Sequence, residues 1–434
     1  MKNIFVLSVL FLLPGAAKAV GLTWEDCVRM ASESNQDLIT ARNEWLAVQQ
    51  NETAAIAGFL PSLSAQTSVT QTGTTGSNGG SGAVVSNGVV LAGGGAGSTV
   101  NTNYLAALNL RQNLFNGLED YSRYQQSKAR TRSSYWALEQ VKSAVTFALK
   151  EAFANLVFAQ ESLDLSRAIE RRRESNYKLV SVRYDNGREN KGSVLLAEAY
   201  LEQARLDLIR AQDSLAVART KLETLLNKDH LGSVTLEGEV PLSGLEEKKD
   251  LAELAVETPA FKQSEAQVQT SSQDVTIARS NFLPSLDLTG NVLRQGPSYL
   301  PERERWTVAL TLTIPLFDGF KDYATTKSAV FAKYAAEAKK KSTLLDLLPR
   351  LRDAQNLARQ SDLKYRIDEK FQKASGTRAE IARAKYNNGL ITFEDWDIIE
   401  NELIQRQTSF LQSKRDRIVR YASWENLLGR RAIP

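Results

Sequence analysis

The chain has 434 residues, 42% of them hydrophobic, and its 54 Lys and Arg residues nearly balance its 50 Asp and Glu residues. The net charge of +4 is small for this length and argues against a nucleic-acid-binding protein, which carries a strongly basic surface. A single His and a single Cys exclude an intrachain disulfide and a Cys/His zinc site, and we expect neither enzyme activity nor a cofactor.

The first residues have the features of a secretory signal peptide. Lys2 precedes an apolar run at residues 4–13, which is too short to cross a bilayer as a helix because about 20 residues are needed. Residues 17–19 read Ala-Lys-Ala, the small-x-small pattern of a cleavage site. We expect residues 1–19 to be removed, so that the mature chain begins at Val20.

The mature chain consists of two copies of one unit. The motifs LFNG/LFDG, DY and YDNG/YNNG recur in the same order at a constant offset of 202 residues, whereas the preceding motif FLPSL recurs at 223. A Gly/Ser/Asn-rich loop at residues 73–98 accounts for the difference, since such a stretch cannot form a core. We expect a first repeat at 20–227, a connection around the middle of the helical part at 228–250, and a second repeat at 251–434.

Each repeat contains a shorter helix followed by a long helical hairpin, at 117–227 and at 319–428. Residues 118–186 contain neither Gly nor Pro, and a helix of this length extends roughly 100 Å. Leu and Ala then recur from Val194 to Leu225 in alternating steps of three and four residues, as in coiled-coil heptads. The sequence therefore predicts a long antiparallel coiled coil in each repeat.

Segments of alternating hydrophobicity form predicted β-hairpins at about 61–115 and 284–315. Each segment has about ten residues, the length of a membrane-spanning strand, although a soluble sheet has the same periodicity. Four strands cannot close a barrel, and open edges in lipid leave backbone groups without partners. We therefore expect oligomerisation: three copies give twelve strands, whereas two give eight and leave little lumen.

Several motifs point together to a known family. They are LTWEDCV at residues 22–28, the two FLPSL copies, LFNG and LFDG, and the turns YDNGRENKGSVLLAE and YNNGLITFEDWDIIE. On these residues the mature chain resembles the TolC family of outer-membrane channels of Gram-negative bacteria. The resemblance implies an α+β membrane protein: a homotrimer whose 12-stranded β-barrel, with four strands per chain, lies in outer-membrane lipid and continues into a long α-helical coiled-coil barrel in the periplasm.

The resemblance also implies the function. The chain would be the exit duct of a tripartite efflux or type I secretion system, passively conducting substrates from an inner-membrane pump of the RND or ABC type through a periplasmic adaptor protein. The alternative is a periplasmic coiled-coil scaffold or adaptor without a pore. The four alternating segments and the repeat across the whole chain favour the channel.

The resemblance further implies a gate at the periplasmic entrance. Asp395 falls on the position of a gate Asp, whose threefold ring would crowd like charges and select cations. Tyr386 corresponds to a tyrosine of the family that links the helices at the gate. A second gate Asp of the family corresponds to Ile398 here, and the neighbouring Asp397 is the candidate in its place. Where the family has an Arg near the turn, this chain has Ile391. A helix-capping role for Asp395 is the alternative.

The turns of the two helical hairpins are the expected contact surface for the adaptor. The candidate residues are Tyr184, Gly187, Gly192, Ser193, Gly389, Leu390 and Thr392. Gly187 and Gly389 permit a turn because Gly tolerates positive φ, and Gly192-Ser193 replaces the family's Thr-Asp pair. The basic run at 171–173 is expected to be a solvated coiled-coil face.

Overall fold

A computed structural model describes most of the chain. The described residues are 21–75, 85–86, 89–90, 98–229, 235–236, 240–245, 250–299 and 303–434. The predicted signal peptide, most of the Gly-rich loop and part of the connection between the repeats lie outside these residues. Every helix in the described part is too short or too polar to cross a membrane.

The helices follow the sequence repeat. In chain order they are α1 (Trp24–Ser34), α2 (Gln36–Ala55), α3 (Glu119–Asp185), α4 (Lys191–Leu225), α5 (Leu251–Glu257), α6 (Pro259–Ser280), α7 (Lys321–Asn387) and α8 (Phe393–Leu427). Both α3 and α7 have 67 residues, and both α4 and α8 have 35. We call α3–α4 the first hairpin and α7–α8 the second hairpin.

The long strands form one sheet. The strands are β1 (Gly21–Leu22), β2 (Ser62–Thr75), β3 (Val85–Ser86), β4 (Val89–Val90), β5 (Ser98–Asn116), β6 (Thr235–Leu236), β7 (Ser285–Gly296) and β8 (Arg303–Thr313). Within the described part of the chain, an antiparallel four-stranded sheet has the order β2–β5–β7–β8, so β2 and β8 are its edges. The predicted fold class, with a strand hairpin and a long helical hairpin in each repeat, is confirmed.

One face of this sheet is apolar and exposed. The register aligns Leu63, Leu110, Gly290 and Val308 across the four strands on this face. Val308, Leu310 and Leu312 continue the face along β8, and each has more than half of its surface exposed, 62% for Leu310. A contiguous apolar surface of this kind requires an apolar environment or a partner.

The opposite face of the sheet is polar. Asn291 on β7 donates a hydrogen bond to the Asn109 side chain on β5. Arg111 on β5 lies 3.5 Å from the Asp287 carboxylate on β7. Thr311 on β8 lies opposite Asp287 in the register and therefore on this face. Successive side chains of a strand point to opposite sides, so these polar residues lie on the face opposite Leu110 and Val308.

The chain forms two compact units. One contains the described residues of Met1–Leu46, Ser133–Glu265 and Lys339–Pro434, and the other contains the described residues of Ala47–Arg132 and Ala266–Ala338. The four-stranded sheet belongs to the second of these units. The turns of both helical hairpins belong to the first.

The core of the first unit repeats with the sequence. Leu149 on α3 and Leu351 on α7 are 202 residues apart, and both are fully buried. Leu222 on α4 and Trp424 on α8 have the same relation. Cys27 packs in the cluster of Leu149 and Leu222, where burial raises the pKa of its thiol to about 12. Cys27 is therefore a core residue and is poorly reactive.

Gly429 after α8 provides a test of this packing. Its φ is +74°, and a Cβ there would lie 2.2 Å from the Pro259 ring. Gly389 has nearly the same φ, +75°, but a Cβ there meets no described atom within 4 Å. We predict that Gly389→Ala lowers the free energy of unfolding by about 1–2 kcal/mol through backbone strain alone, and that Gly429→Ala lowers it further. Denaturation followed by circular dichroism compares the two variants; equal losses would contradict the contact with Pro259.

Candidate functional site at the tips of the helical hairpins

Two matching turns join the helices of the two hairpins. Gly187 follows α3 with a φ of +70°, and Gly389 follows α7 with a φ of +75°. In each turn the Gly amide and the next amide donate to carbonyls of the last helical turn, as in a Schellman motif. The bonds are Gly187 to Tyr184, Arg188 to Arg183, Gly389 to Tyr386 and Leu390 to Lys385, at 2.8–2.9 Å.

Each following helix begins with a side-chain cap. The Asn190 side chain accepts a hydrogen bond from the Ser193 amide at 2.9 Å, at the start of α4. At the start of α8, the Asp395 amide donates to the Thr392 hydroxyl at 3.1 Å, and that hydroxyl donates to the Asp395 carboxylate at 2.8 Å. Asp395 therefore takes part in a capping box, which is the alternative role that the sequence left open.

Tyr386 lies at the centre of a buried aromatic cluster. Its ring stacks on Trp396 with centroids 4.5 Å apart, and Phe393 packs edge-on at 6.3 Å. Only 1% of Tyr386 is exposed. We call the buried group that contains these rings the tip cluster: Val180, Ala197, Ala382, Tyr386, Phe393 and Trp396. Because Val180 and Ala197 belong to the first hairpin, the tip cluster packs the two hairpins together.

The Tyr386 hydroxyl links α7 to the turn of the first hairpin. It donates to the Glu189 carboxylate at 2.8 Å, and the Ser193 hydroxyl donates to the same carboxylate at 3.0 Å. The Arg183 guanidinium lies 4.3 Å from the centre of the Tyr386 ring and donates to the Asn387 carbonyl. Burial and the bond to Glu189 raise the pKa of Tyr386 to about 12, so the phenol remains a donor at neutral pH.

Arg173 and Asp397 form a buried ion pair between α3 and α8. Their nearest charged atoms are 2.9 Å apart, and their side chains are 7% and 8% exposed. The Asn401 amide donates to Asp397 at 2.9 Å and its oxygen accepts from Arg173. The Arg173 guanidinium also lies 4.6 Å from the centre of the Tyr200 ring. Both charges are thus hydrogen-bonded in the interior, which a buried pair requires.

The expectation of a solvated basic face at residues 171–173 is wrong for Arg173. Arg171 is exposed, but Arg173 lies seven residues before the buried Val180, on the same side of α3. This side of α3 faces α8, where Asp397 neutralises the guanidinium. Asp397 itself, a predicted gate residue, points into the protein interior.

The other predicted tip residues divide between surface and interior. Ser193 is buried, whereas Tyr184, Gly192 and Leu390 are exposed, Leu390 to 70%. Tyr184 occupies the position of Tyr386 in the first repeat and has 41% of its surface exposed. The two repeats therefore present different tips, with one tyrosine buried between the hairpins and one on the surface.

Sequence reasoning missed Arg173, Glu189 and Arg183 as tip residues. The heptad seam of α3 contains the signal for Arg173, because steps of three and four residues lead back to it from Val180. Asp397 follows Trp396, which corresponds to Val194 on the seam of the first repeat, so the seam itself does not indicate that Asp397 is buried. Glu189 lies in a turn, where no periodicity indicates a partner.

Comparisons of the sequence and of the fold with known proteins all find outer-membrane efflux and secretion proteins. The family model described as "Outer membrane efflux protein" matches residues 27–228 and 251–430. The chain is 24% identical to the alkaline protease secretion protein AprF of Pseudomonas aeruginosa over 74% of this chain and 68% of that protein. It is 21% identical to the cation efflux system protein CusC of Escherichia coli over 72% of this chain and 70% of CusC. The crystal structure of the CmeC outer membrane channel of Campylobacter jejuni has a similar fold, with a TM-score of 0.79, 18% identity and coverage of 99% and 94%.

The Tyr386 bond to Glu189 gives a pH-dependent prediction. We expect Tyr386→Phe to lower the free energy of unfolding by about 1–3 kcal/mol at neutral pH, because the partly buried hydrogen bond to the Glu189 carboxylate is lost. The folded state favours the protonated phenol, so this contribution is complete below pH 10 and is lost as the pH rises towards 12. Thermal unfolding of the wild-type protein and of Tyr386→Phe between neutral pH and pH 12 measures the difference in stability. Tyr184→Phe, at an exposed tyrosine, is the control. A difference that does not change with pH would contradict the assignment.

Proposed function

This chain belongs to the outer membrane efflux protein family, and we propose that it is the outer-membrane exit duct of a tripartite efflux or type I secretion system. The observation that carries the proposal is the sheet, with an exposed apolar face, a polar face and two edge strands. Lipid is the environment that suits the apolar face, while the polar face lines an aqueous passage. Carriage of substrates through this passage requires no chemistry by the chain itself.

The sheet edges support assembly from three copies. Unpaired N–H and C=O groups on β2 and β8 are costly in lipid, so each edge needs a strand from another copy. Pairing of β8 with β2 of the next copy repeats the antiparallel order and closes after three chains into twelve strands. Twelve is an even number within the range of bacterial barrels and encloses a lumen.

The helical hairpins supply further surfaces for assembly. On α4, several large apolar side chains are exposed in the single chain: Leu195, Leu196, Leu206, Ile209 and Val217. On α7, Leu363, Ile367, Phe371 and Ile381 are exposed as well. Such faces on long helices are suited to packing against helices of neighbouring copies, as in other helical bundles.

Energy and cargo selection come from partners in this proposal. AprF is named for alkaline protease secretion and CusC for cation efflux, so related ducts are associated with very different cargoes. An inner-membrane pump of the RND or ABC type selects and drives the substrate, and a periplasmic adaptor joins the pump to the duct. The exposed tip residues Tyr184, Gly192 and Leu390, with the two glycine turns, form the surface for the adaptor.

The entrance of the duct lies at the hairpin tips. The bond from Tyr386 to Glu189 holds the two tips of one chain together, and it supports the proposal that Tyr386 helps to keep the entrance closed. Asp395 is exposed next to its cap partner Thr392, so a ring of three such carboxylates adds a cation preference at the entrance. Asp397 stabilises the tips through its ion pair with Arg173 and adds no free carboxylate to the entrance.

Currents across a planar bilayer test the duct directly. We predict that purified, detergent-extracted protein gives discrete, long-lived current steps. An entrance that is closed at rest would suppress these current steps. Tyr386→Phe is therefore measured in parallel, because loss of the hydrogen bond to Glu189 loosens the tips. Silence of both proteins after confirmed membrane insertion would favour the periplasmic scaffold over the channel.

A matched pair of strand variants tests the orientation of the sheet. Leu310→Arg places a charge on the apolar face, where it costs about 2–4 kcal/mol near the middle of a bilayer, so membrane assembly should fail. Thr311→Arg places the same charge on the polar face of the same strand, so assembly should survive with altered ion selectivity. Outer-membrane fractionation and current recordings compare the two. Equal yields in the membrane would contradict the assignment of faces.

A further inference from the structure

The polar face of the four-stranded sheet carries unbalanced positive charge at one end. We propose that Arg303 and Arg305 of three copies form a ring of six guanidinium groups, which favours anions at the extracellular end of the passage. The ring rests on the proposed function, because it requires a barrel of three chains with a water-filled lumen. The charge on the polar face is a property of the single chain and is tested separately.

The strand register places both arginines on the polar face. Arg303 lies opposite Gln295 and Arg305 lies opposite Leu293, in one continuous pairing of β7 with β8. Arg305 is six residues from Thr311, and an even separation along a strand keeps two side chains on the same face. Both arginines are exposed. They lie at the start of β8, so they are at the end of the sheet opposite to the one that continues into α7.

The charges on the apolar face at the same level are balanced. Arg294 on β7 and Glu304 on β8 lie opposite each other in the register, and their nearest charged atoms are 2.8 Å apart. On the polar face the situation is different: among the described residues, no side chain pairs with Arg303 or Arg305. Alternation along one short stretch of β8 therefore puts a neutralised pair on one face and free cations on the other.

The rest of the described polar face does not neutralise these arginines. Its acidic residue is Asp287, whose carboxylate lies 3.5 Å from the Arg111 guanidinium. Six residues of β7 separate Asp287 from Leu293, the residue opposite Arg305, which is a distance of about 20 Å along the strand. Residues 61–110 contain no Asp, Glu, Lys or Arg, so β2 and its connection to β5 add no charge. On the described polar face, each copy therefore contributes two unpaired positive charges.

Six guanidinium groups in a closed ring act on the whole cross-section of the lumen. Twelve strands about 4.8 Å apart and tilted by about 40° give a wall roughly 12 Å from the axis. The arginine side chains extend inwards from this wall, which brings the axis within one Debye length, about 8 Å at physiological ionic strength. Rings of Arg select anions in other pores. Cargo with carboxylate or phosphate groups therefore passes this end more readily than cationic cargo of equal size.

A cysteine at Thr307 measures the local charge without any current. Thr307 is exposed on the polar face two residues from Arg305, and the native Cys27 is fully buried. The measurement compares the rates at which Thr307→Cys reacts with a negatively and with a positively charged methanethiosulfonate. Adding Arg303→Gln/Arg305→Gln should lower the ratio of the anionic to the cationic rate at least about threefold, because a surface potential of about one kT is lost. An unchanged ratio would overturn the proposal.

Matched variants separate the ring from other effects. Arg294→Gln/Glu304→Gln removes the balanced pair from the apolar face of the same strands, so the rate ratio should not change. The effect of the two polar-face arginines should be larger in 0.1 M than in 1 M salt, because the Debye length falls from about 10 Å to about 3 Å. Glu302 lies outside the described residues, so Glu302→Gln is measured as well. A preference for the anionic reagent that occurs only in Glu302→Gln would overturn the proposal.

Two further measurements distinguish failure of the ring from failure of the duct. Val308→Cys lies on the apolar face next to Thr307, so in membranes it should react with neither charged reagent. Equal reaction of both cysteines would count against the barrel in lipid, whereas the rate ratio at Thr307 would still judge the arginines. In planar bilayers, Arg303→Gln/Arg305→Gln should lower the permeability of chloride relative to potassium from the wild-type value. Conducting channels with an unchanged permeability ratio would overturn the role of the ring in selectivity.

Discussion

The requirement that every backbone hydrogen-bonding group in lipid finds a partner governs the organisation of this protein. The chain supplies an antiparallel sheet with an apolar outer face but leaves β2 and β8 as open edges. A sheet of this kind is complete only together with other copies. Each sequence repeat contributes one strand hairpin to this sheet and one helical hairpin, and the two helical hairpins have matching lengths.

The hairpin tips combine a repeated backbone with unrepeated side chains. Both turns use a glycine at positive φ followed by a capped helix, so the local geometry is nearly the same. Glu189 occurs only in the first turn, and Arg173 has the small Ser375 as its counterpart in the second repeat. These differences turn two similar hairpins into complementary partners within one chain. Asymmetry between the repeats therefore determines how the tips are held together.

The sequence predicted the repeat, the strands, the long helices and the family, because each has a periodic or recurring signal. It also placed glycines at the turns and allowed a capping role for Asp395. It did not predict the partner of Tyr386, since Glu189 lies in a turn and pairing between hairpins depends on how the helices are rotated. The run of three arginines predicts a solvated helix face, whereas Arg173 lies on the buried side of α3, and only the packing of α3 against α8 shows its partner Asp397.

The number of copies in the membrane-extracted protein is the most direct test of this account. Native mass spectrometry of the detergent-released assembly counts the chains without reference to substrate, pump or gate. The account predicts three copies, because three four-stranded sheets close into one barrel. A stable single chain would contradict it, since two edge strands would then remain unpaired in the membrane.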